Sequence, residues 1–174
     1  MMSGYDDKEL KQKAFDAVKN GRALLCSTAG DHAPVNAMTI GWGFWGTVWN
    51  KDVFLAYVRP GRHTFQNLKI WPRFSVNLFF DDRYKNWFQV CGNESFRDKD
   101  KITDLGIPLK RGPQSIPFIE KADLVLLCRI IAVQGLDAGS LPEDVESRFY
   151  RGEDYHHLFY GEIIRVSGGS RDLL

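Results

Sequence analysis

Ala23-Leu24-Leu25-Cys26-Ser27-Thr28, then Ala29-Gly30-Asp31-His32, then Pro34-Val35-Asn36-Ala37-Met38-Thr39-Ile40 is the passage on which the fold turns. Two extended runs flank a short cluster of turn formers, which is the pattern of a β-hairpin. A hairpin pairs its strands antiparallel, because a parallel pair needs a crossover of a dozen or more residues. Upstream, Leu10, Ala14, Phe15 and Val18 recur at helical spacing, with aspartates at the start, Lys19 near the end and Gly21 to stop it, so residues 6–20 are expected to be a helix. Downstream, 41–46 holds three glycines and two tryptophans and is expected to be a loop.

The alternation continues. Residues 52–58 read as a strand around Val53, Leu55 and Tyr57, closed by Arg59-Pro60-Gly61, and 74–80 as another, ending in Asp81-Asp82. Short helices are expected over 63–70, 82–90 and 98–105, and strands over 124–133 and 157–166. The segment 108–117 is rich in Pro and Gly, 135–152 reads as an exposed excursion, and 167–174 as a frayed tail. Six strands separated by hairpins and short helices, not by regular βαβ units, predict a mainly β fold, an antiparallel barrel with peripheral helices. One domain is expected over 1–174, its helix at 6–20 and its barrel at about 22–166.

Composition supports one well-filled core, with 174 residues and 44% hydrophobic content. A formal charge of +1 removes the global electrostatic argument for nucleic acid or an acidic membrane. With no long apolar span and no signal-peptide pattern, a soluble cytoplasmic protein is expected. Cys26, Cys91 and Cys128 are odd in number and widely spaced, so they are expected to be reduced and to bind no metal.

Four segments could carry chemistry. Asn36 to Gly43 ends a strand in small residues, where free backbone groups could meet a planar, polar-edged ligand; a packed turn explains it equally simply. Val58-Arg59-Pro60-Gly61-Arg62-His63-Thr64 sets two guanidinium forks and a hydroxyl at a helix start, which suits phosphate; an ordinary capped turn is the plain alternative. Cys91 to Lys101 is a turn followed by alternating charges, as on a solvated helix face. Asp154 to Ile163 brings His156 and His157 into a strand on opposite faces, unsuited to one metal. No P-loop, Rossmann fingerprint, nucleophile elbow or His-Glu-x-x-His occurs. Any redox role therefore needs a bound cofactor.

In this order the segments resemble the flavin reductase-like family with an FMN-binding split β-barrel of antiparallel Greek-key type, and within it the flavoredoxin-like branch. The resemblance runs from about Arg22 to Val166. It rests on Asn36-Ala37-Met38-Thr39 with Trp42-Gly43, Val58-Arg59-Pro60 with Arg62 and Thr64, and Phe74-Ser75-Val76-Asn77. Cys91-Gly92 with Ser95-Arg97-Asp98 and Asp100-Lys101, and His156 with Gly161-Glu162-Ile163, complete it.

The resemblance implies a homodimer holding FMN near its interface. Arg59, Thr64 and Ser95 would face the phosphate and ribityl end, joined by Arg62 and Lys101. Backbone around Met38, Thr39 and Asn77 would meet the isoalloxazine edge, with Asn36 beside it and Trp42 and His63 as stacking or lid groups. His156 would lie on the nicotinamide side; no catalytic residue is assigned. The implied function is an oxidoreductase moving electrons from NAD(P)H or a redox partner through FMN to an acceptor, free flavin included. The alternatives are a non-catalytic FMN carrier or sensor, and a flavin-free barrel acting through exposed aromatics. Two residues depart from the branch pattern. His63 stands where Tyr is usual, and Phe96 stands where Gly is usual, which would alter the phosphate side if that position needed a positive φ or had to approach the ligand closely.

Overall fold

The computed structural model describes residues 6–168. Helix α1 (Asp7–Lys19) begins at Asp6, whose side chain accepts from the Glu9 amide at 2.8 Å while the Glu9 carboxylate accepts from the Asp6 amide at 3.1 Å. This reciprocal cap satisfies two otherwise orphaned donors. Leu10, Ala14, Ala17 and Val18 form its buried face. Phe15 does not join them: it is exposed, with the Lys19 ammonium over its ring.

The hairpin forms as β1 (Ala23–Thr28) and β2 (Val35–Thr39), antiparallel, with Leu25 opposite Met38. Further strands are β3 (Gly43–Val48), β4 (Lys51–Val58), β5 (Arg73–Leu78), β8 (Leu124–Gly135) and β9 (His157–Ser167). These seven make one antiparallel sheet in the order β2-β1-β5-β8-β9-β4-β3. The outer strands β2 and β3 are consecutive in the chain, joined by residues 40–42. Laid flat, seven strands put the outer two about 29 Å apart. Four Cα steps from Thr39 to Gly43 reach at most about 14 Å. The sheet therefore curls until its edges face each other, with no ladder between β2 and β3.

Strand β3 corrects the expectation of a loop at 41–46. Glycine was read as a breaker, but here it permits pairing: Gly43 sits opposite Ala56 with φ +144°, and a Cβ on it would come 2.6 Å from the Leu55 carbonyl oxygen. Helix α2 (His63–Ile70) lies where expected. Helix α3 (Lys85–Asn93) starts later than expected, because Arg83 turns back to Asp81 and Asp123. Helix α4 (Lys101–Asp104) is one turn only, capped by Asp100 on the Thr103 amide and hydroxyl. The Pro/Gly-rich segment contains a small antiparallel pair, β6 (Leu109–Arg111) with β7 (Pro117–Ile119). The excursion contains α5 (Glu143–Phe149), and Ser167, expected in the tail, ends β9; 169–174 lie outside the described residues.

The core has two parts, one on each face of the sheet. Leu25, Phe54, Phe74, Leu126 and Phe159 pack with α1 and α2. Leu24, Cys26, Phe88, Phe118 and Leu127 pack with α3, α4 and the β6–β7 pair. Strand β1 is buried on both faces, hence its unbroken apolar run. All three cysteines are buried free thiols, and among the described residues no helix is long and apolar enough to cross a membrane.

Candidate functional site

The curl brings the end of β2, the β4–α2 turn and the start of β9 together. Around them lies a cavity of about 260 Å³, lined among others by Met38, Thr39, Trp42, Tyr57, Arg59, Arg62 and His156. A narrower recess of about 70 Å³ adjoins it, and Met38 and Arg62 line both. Asn36, His63, Thr64, Ser95, Phe96 and Lys101 line the recess. The structure thus groups ten of the eleven predicted binding residues, and His156, in two adjoining spaces.

Asn77 is the exception. It is wholly buried within β5, donating from Nδ2 to the Leu24 carbonyl at 3.0 Å and to Ser75 Oγ at 2.9 Å, and accepting at Oδ1 from the Ile119 amide at 2.7 Å. Its side chain clips β1, β5 and β7 together and lines neither space. An Asn at the same face of a ladder gives no sign in sequence of whether its partners are ligand or core.

The recess has the character of an anion site. Lys101 is 2% exposed, yet its ammonium has the Glu94 carbonyl at 3.0 Å for a partner and no carboxylate, since Glu94 itself pairs with Lys99. Burial holds Lys101 below the ordinary lysine range, and Arg62 adds repulsion. The Arg62 guanidinium forms no hydrogen bond or ion pair among the described residues. It also leaves the N-terminus of α2 without a side-chain cap, so the first amides there have no side-chain acceptor. Asn36 donates to Thr64 Oγ1 at 2.9 Å, while its buried Oδ1 has no donor. One buried cation and one exposed cation, neither with an anion, beside an acceptor lacking a donor, fit a ligand carrying an anionic group and hydroxyls.

Arg59 is differently engaged. Its guanidinium donates to the carbonyls of Phe149 at 2.6 Å and Asp154 at 3.2 Å and lies over the Tyr150 ring. It lines the larger cavity and not the recess, binding the α5–β9 segment to the barrel. Ser95 Oγ accepts from the Arg97 amide at 3.2 Å. Phe96 is not at positive φ, so the glycine of the branch pattern is not required by backbone geometry here; its ring lies against His63 at 4.9 Å. Burial, then the charges of Arg97 and Lys101, lower the His63 pKa.

The other end of the site sets aromatic rings beside Arg59 and Arg62. Thr39 Oγ1 donates to the Phe88 carbonyl at 2.6 Å, which fixes the end of β2. Trp42 meets Phe149 edge to face at 5.1 Å and His156 at 5.0 Å. Burial, then the Arg59 charge, bring the His156 imidazole down to about 4, and its Nδ1 is 2.9 Å from the Tyr150 hydroxyl. Tyr57, Phe149 and Tyr150 were not anticipated. Tyr57 was legible only as one residue of an alternating strand, and the other two lie in the segment read as an exposed excursion.

Several solved structures share this fold. The flavoredoxin of Methanosarcina acetivorans superposes with a TM-score of 0.66 at 21% identity, over 87% of this chain and 70% of that one. An FMN-binding protein of Thermus thermophilus, solved with bound 1-cyclohex-2-enone, gives 0.65 at 21% identity over 83% and 68%. An NADH:FAD oxidoreductase of Streptomyces globisporus, in complex with NAD and FAD fragments, gives 0.60 at 19% over 84% and 73%. No curated protein matches the chain in sequence. The family model described as flavin reductase like domain matches residues 17–174, which takes in every strand and every residue of both cavities, and the chain belongs to that family.

Proposed function

We propose that this chain is an FMN-binding oxidoreductase of the flavin reductase type, working as a single split-barrel domain and passing electrons from NAD(P)H or a redox partner to an acceptor. The observation that carries the reading is the recess, where Lys101 and Arg62 lack any carboxylate partner and Asn36 Oδ1 lacks a donor, opening beside a cavity with aromatic walls. FMN, when bound, supplies the redox chemistry that no side chain here possesses. Lys101, Arg62 and the first amides of α2 hold its phosphate, and Asn36, Thr64 and Ser95 take its hydroxyls. Backbone at Met38 and Thr39 meets the ring edge, and Trp42 and His63 bound it. His156 stays neutral near pH 7 and so offers a nicotinamide an uncharged hydrogen-bonding wall. A homodimer and a reducing, cytoplasmic setting complete the proposal; the three unpaired thiols suit the latter.

A second reading has one observation in its favour. Trp42 and Phe149 meet edge to face in the cavity wall, and a wall that shut out nicotinamide would leave an FMN carrier or sensor. One experiment separates the two: visible spectra with FMN, followed by NADH and then NADPH, without oxygen. Bleaching by either nucleotide is expected. Bleaching by dithionite alone would leave the carrier or a protein reduced by a redox partner, and no uptake of FMN would sink both.

A further inference from the structure

Trp42, Phe44 and Phe149 are large apolar side chains left exposed, and all three line one further cavity, of about 520 Å³. Scattered exposed apolar residues need no explanation, but a concave cluster does. The cavity shares Trp42, Tyr57 and Phe149 with the polar cavity beside Arg62 and His156. Its outer side comes from α5. Leu141 lies just ahead of α5, and Val145 and Phe149, four residues apart on it, follow one helical face. That face joins neither part of the core. A helix of seven residues does not stand on its own propensity. It is held in place by Arg59 on the Phe149 carbonyl and by Glu146, which accepts from the Gly152 amide and the Tyr155 hydroxyl.

The walls define the chemistry of an occupant. No residue lining this cavity carries a charge, so a phosphate or carboxylate would be desolvated without a partner. The Tyr150 hydroxyl is taken by His156, which leaves the Tyr57 hydroxyl and Trp42 Nε1 as neutral polar groups. The volume lies within the range of small-molecule pockets. We propose that this cavity binds a neutral, ring-bearing compound with one or two carbonyl or nitro oxygens, and that this compound is the electron acceptor. Binding stands on the cavity alone, whereas the acceptor role rests on the flavin reading above. For a quinone the balance is simple: NADH, one proton and the quinone give NAD⁺ and the hydroquinone, with hydride from the nicotinamide and the second proton from solvent.

The test begins with calorimetric titration of the flavin-free protein with 2-methyl-1,4-naphthoquinone and with 1,4-naphthoquinone-2-sulfonate. The neutral probe should bind at least tenfold more tightly than the sulfonate. Val145→Glu should weaken it at least tenfold, as should Phe44→Ser, which serves if the first variant folds poorly; Val133→Glu, at an exposed apolar site elsewhere, should not. Equal affinity for the two probes, or parental affinity in both cavity variants, would overturn the proposal. So would a change of sedimenting mass with Val145→Glu, which would give the cavity to a second copy of the chain. The role is then read without oxygen, by adding the quinone to protein whose FMN has been bleached by NADH. Return of the flavin spectrum is expected. Its failure to return, with calorimetric binding intact, would refute the acceptor role, and a failure of both NADH and NADPH to bleach the FMN would strike the nicotinamide-driven reading instead.

Discussion

Lys101 shows how much a single side chain can say about the ligand a recess would take. A buried ammonium with one carbonyl for company is costly, and a phosphate returns the lost solvation through charge-assisted hydrogen bonds. Lys101→Met is expected to weaken FMN by about 1.5–3 kcal/mol, roughly 10- to 150-fold, and to leave riboflavin, which has no phosphate, nearly unchanged. Flavin fluorescence titrations of the two ligands check this, and an equal loss for both would remove Lys101 from the phosphate. His156 makes a prediction in pH. Its pKa falls from 6.5 to about 4 on folding, so the unfolded chain takes up a proton that the folded one resists. The stability it contributes is full above pH 6.5 and lost as pH falls toward 4, by about 3 kcal/mol at most. Urea midpoints of His156→Gln should be flatter than the parent's across that window; parallel curves would contradict the assignment.

At the scale of elements, β3, α5 and the β6–β7 pair are those that composition concealed. Gly43 allows β3 to approach β4, so Gly43→Ala forces a Cβ against the Leu55 carbonyl and should cost about 1–3 kcal/mol in a urea melt. An unchanged melt would mean that β3 adjusts freely. Arg59 was read in sequence as a phosphate ligand, yet in the folded chain its donors reach the Phe149 and Asp154 carbonyls. Arg59→Ala is therefore expected to raise amide exchange across 143–155 by more than it lowers FMN affinity. Mass-resolved hydrogen exchange together with an FMN titration decides between latch and ligand. Sequence could not distinguish these, because a guanidinium serves phosphate and backbone carbonyl with the same fork.

For the whole molecule, the proposed homodimer predicts a sedimenting mass of twice 19.9 kDa, and a species at 19.9 kDa alone would refute it. The antiparallel character of the fold was legible in the hairpin at 23–40, in the alternation of 52–58 and in the helix stop at Gly21, because these signals are local and act within a turn or a strand. So were most of the residues that line the candidate site, since Asn36 to Trp42, Arg62 to Thr64 and Ser95 to Lys101 keep their chemistry wherever the chain puts them. What the tertiary structure alone decided was company. The curl of the sheet set Lys101 and Arg62 around one recess, turned Asn77 into the core, drew Arg59 to the α5–β9 segment and folded that segment over Trp42. Periodicity reports which face a residue occupies on its own element, but the partners that element meets are fixed by contacts between residues far apart in the chain.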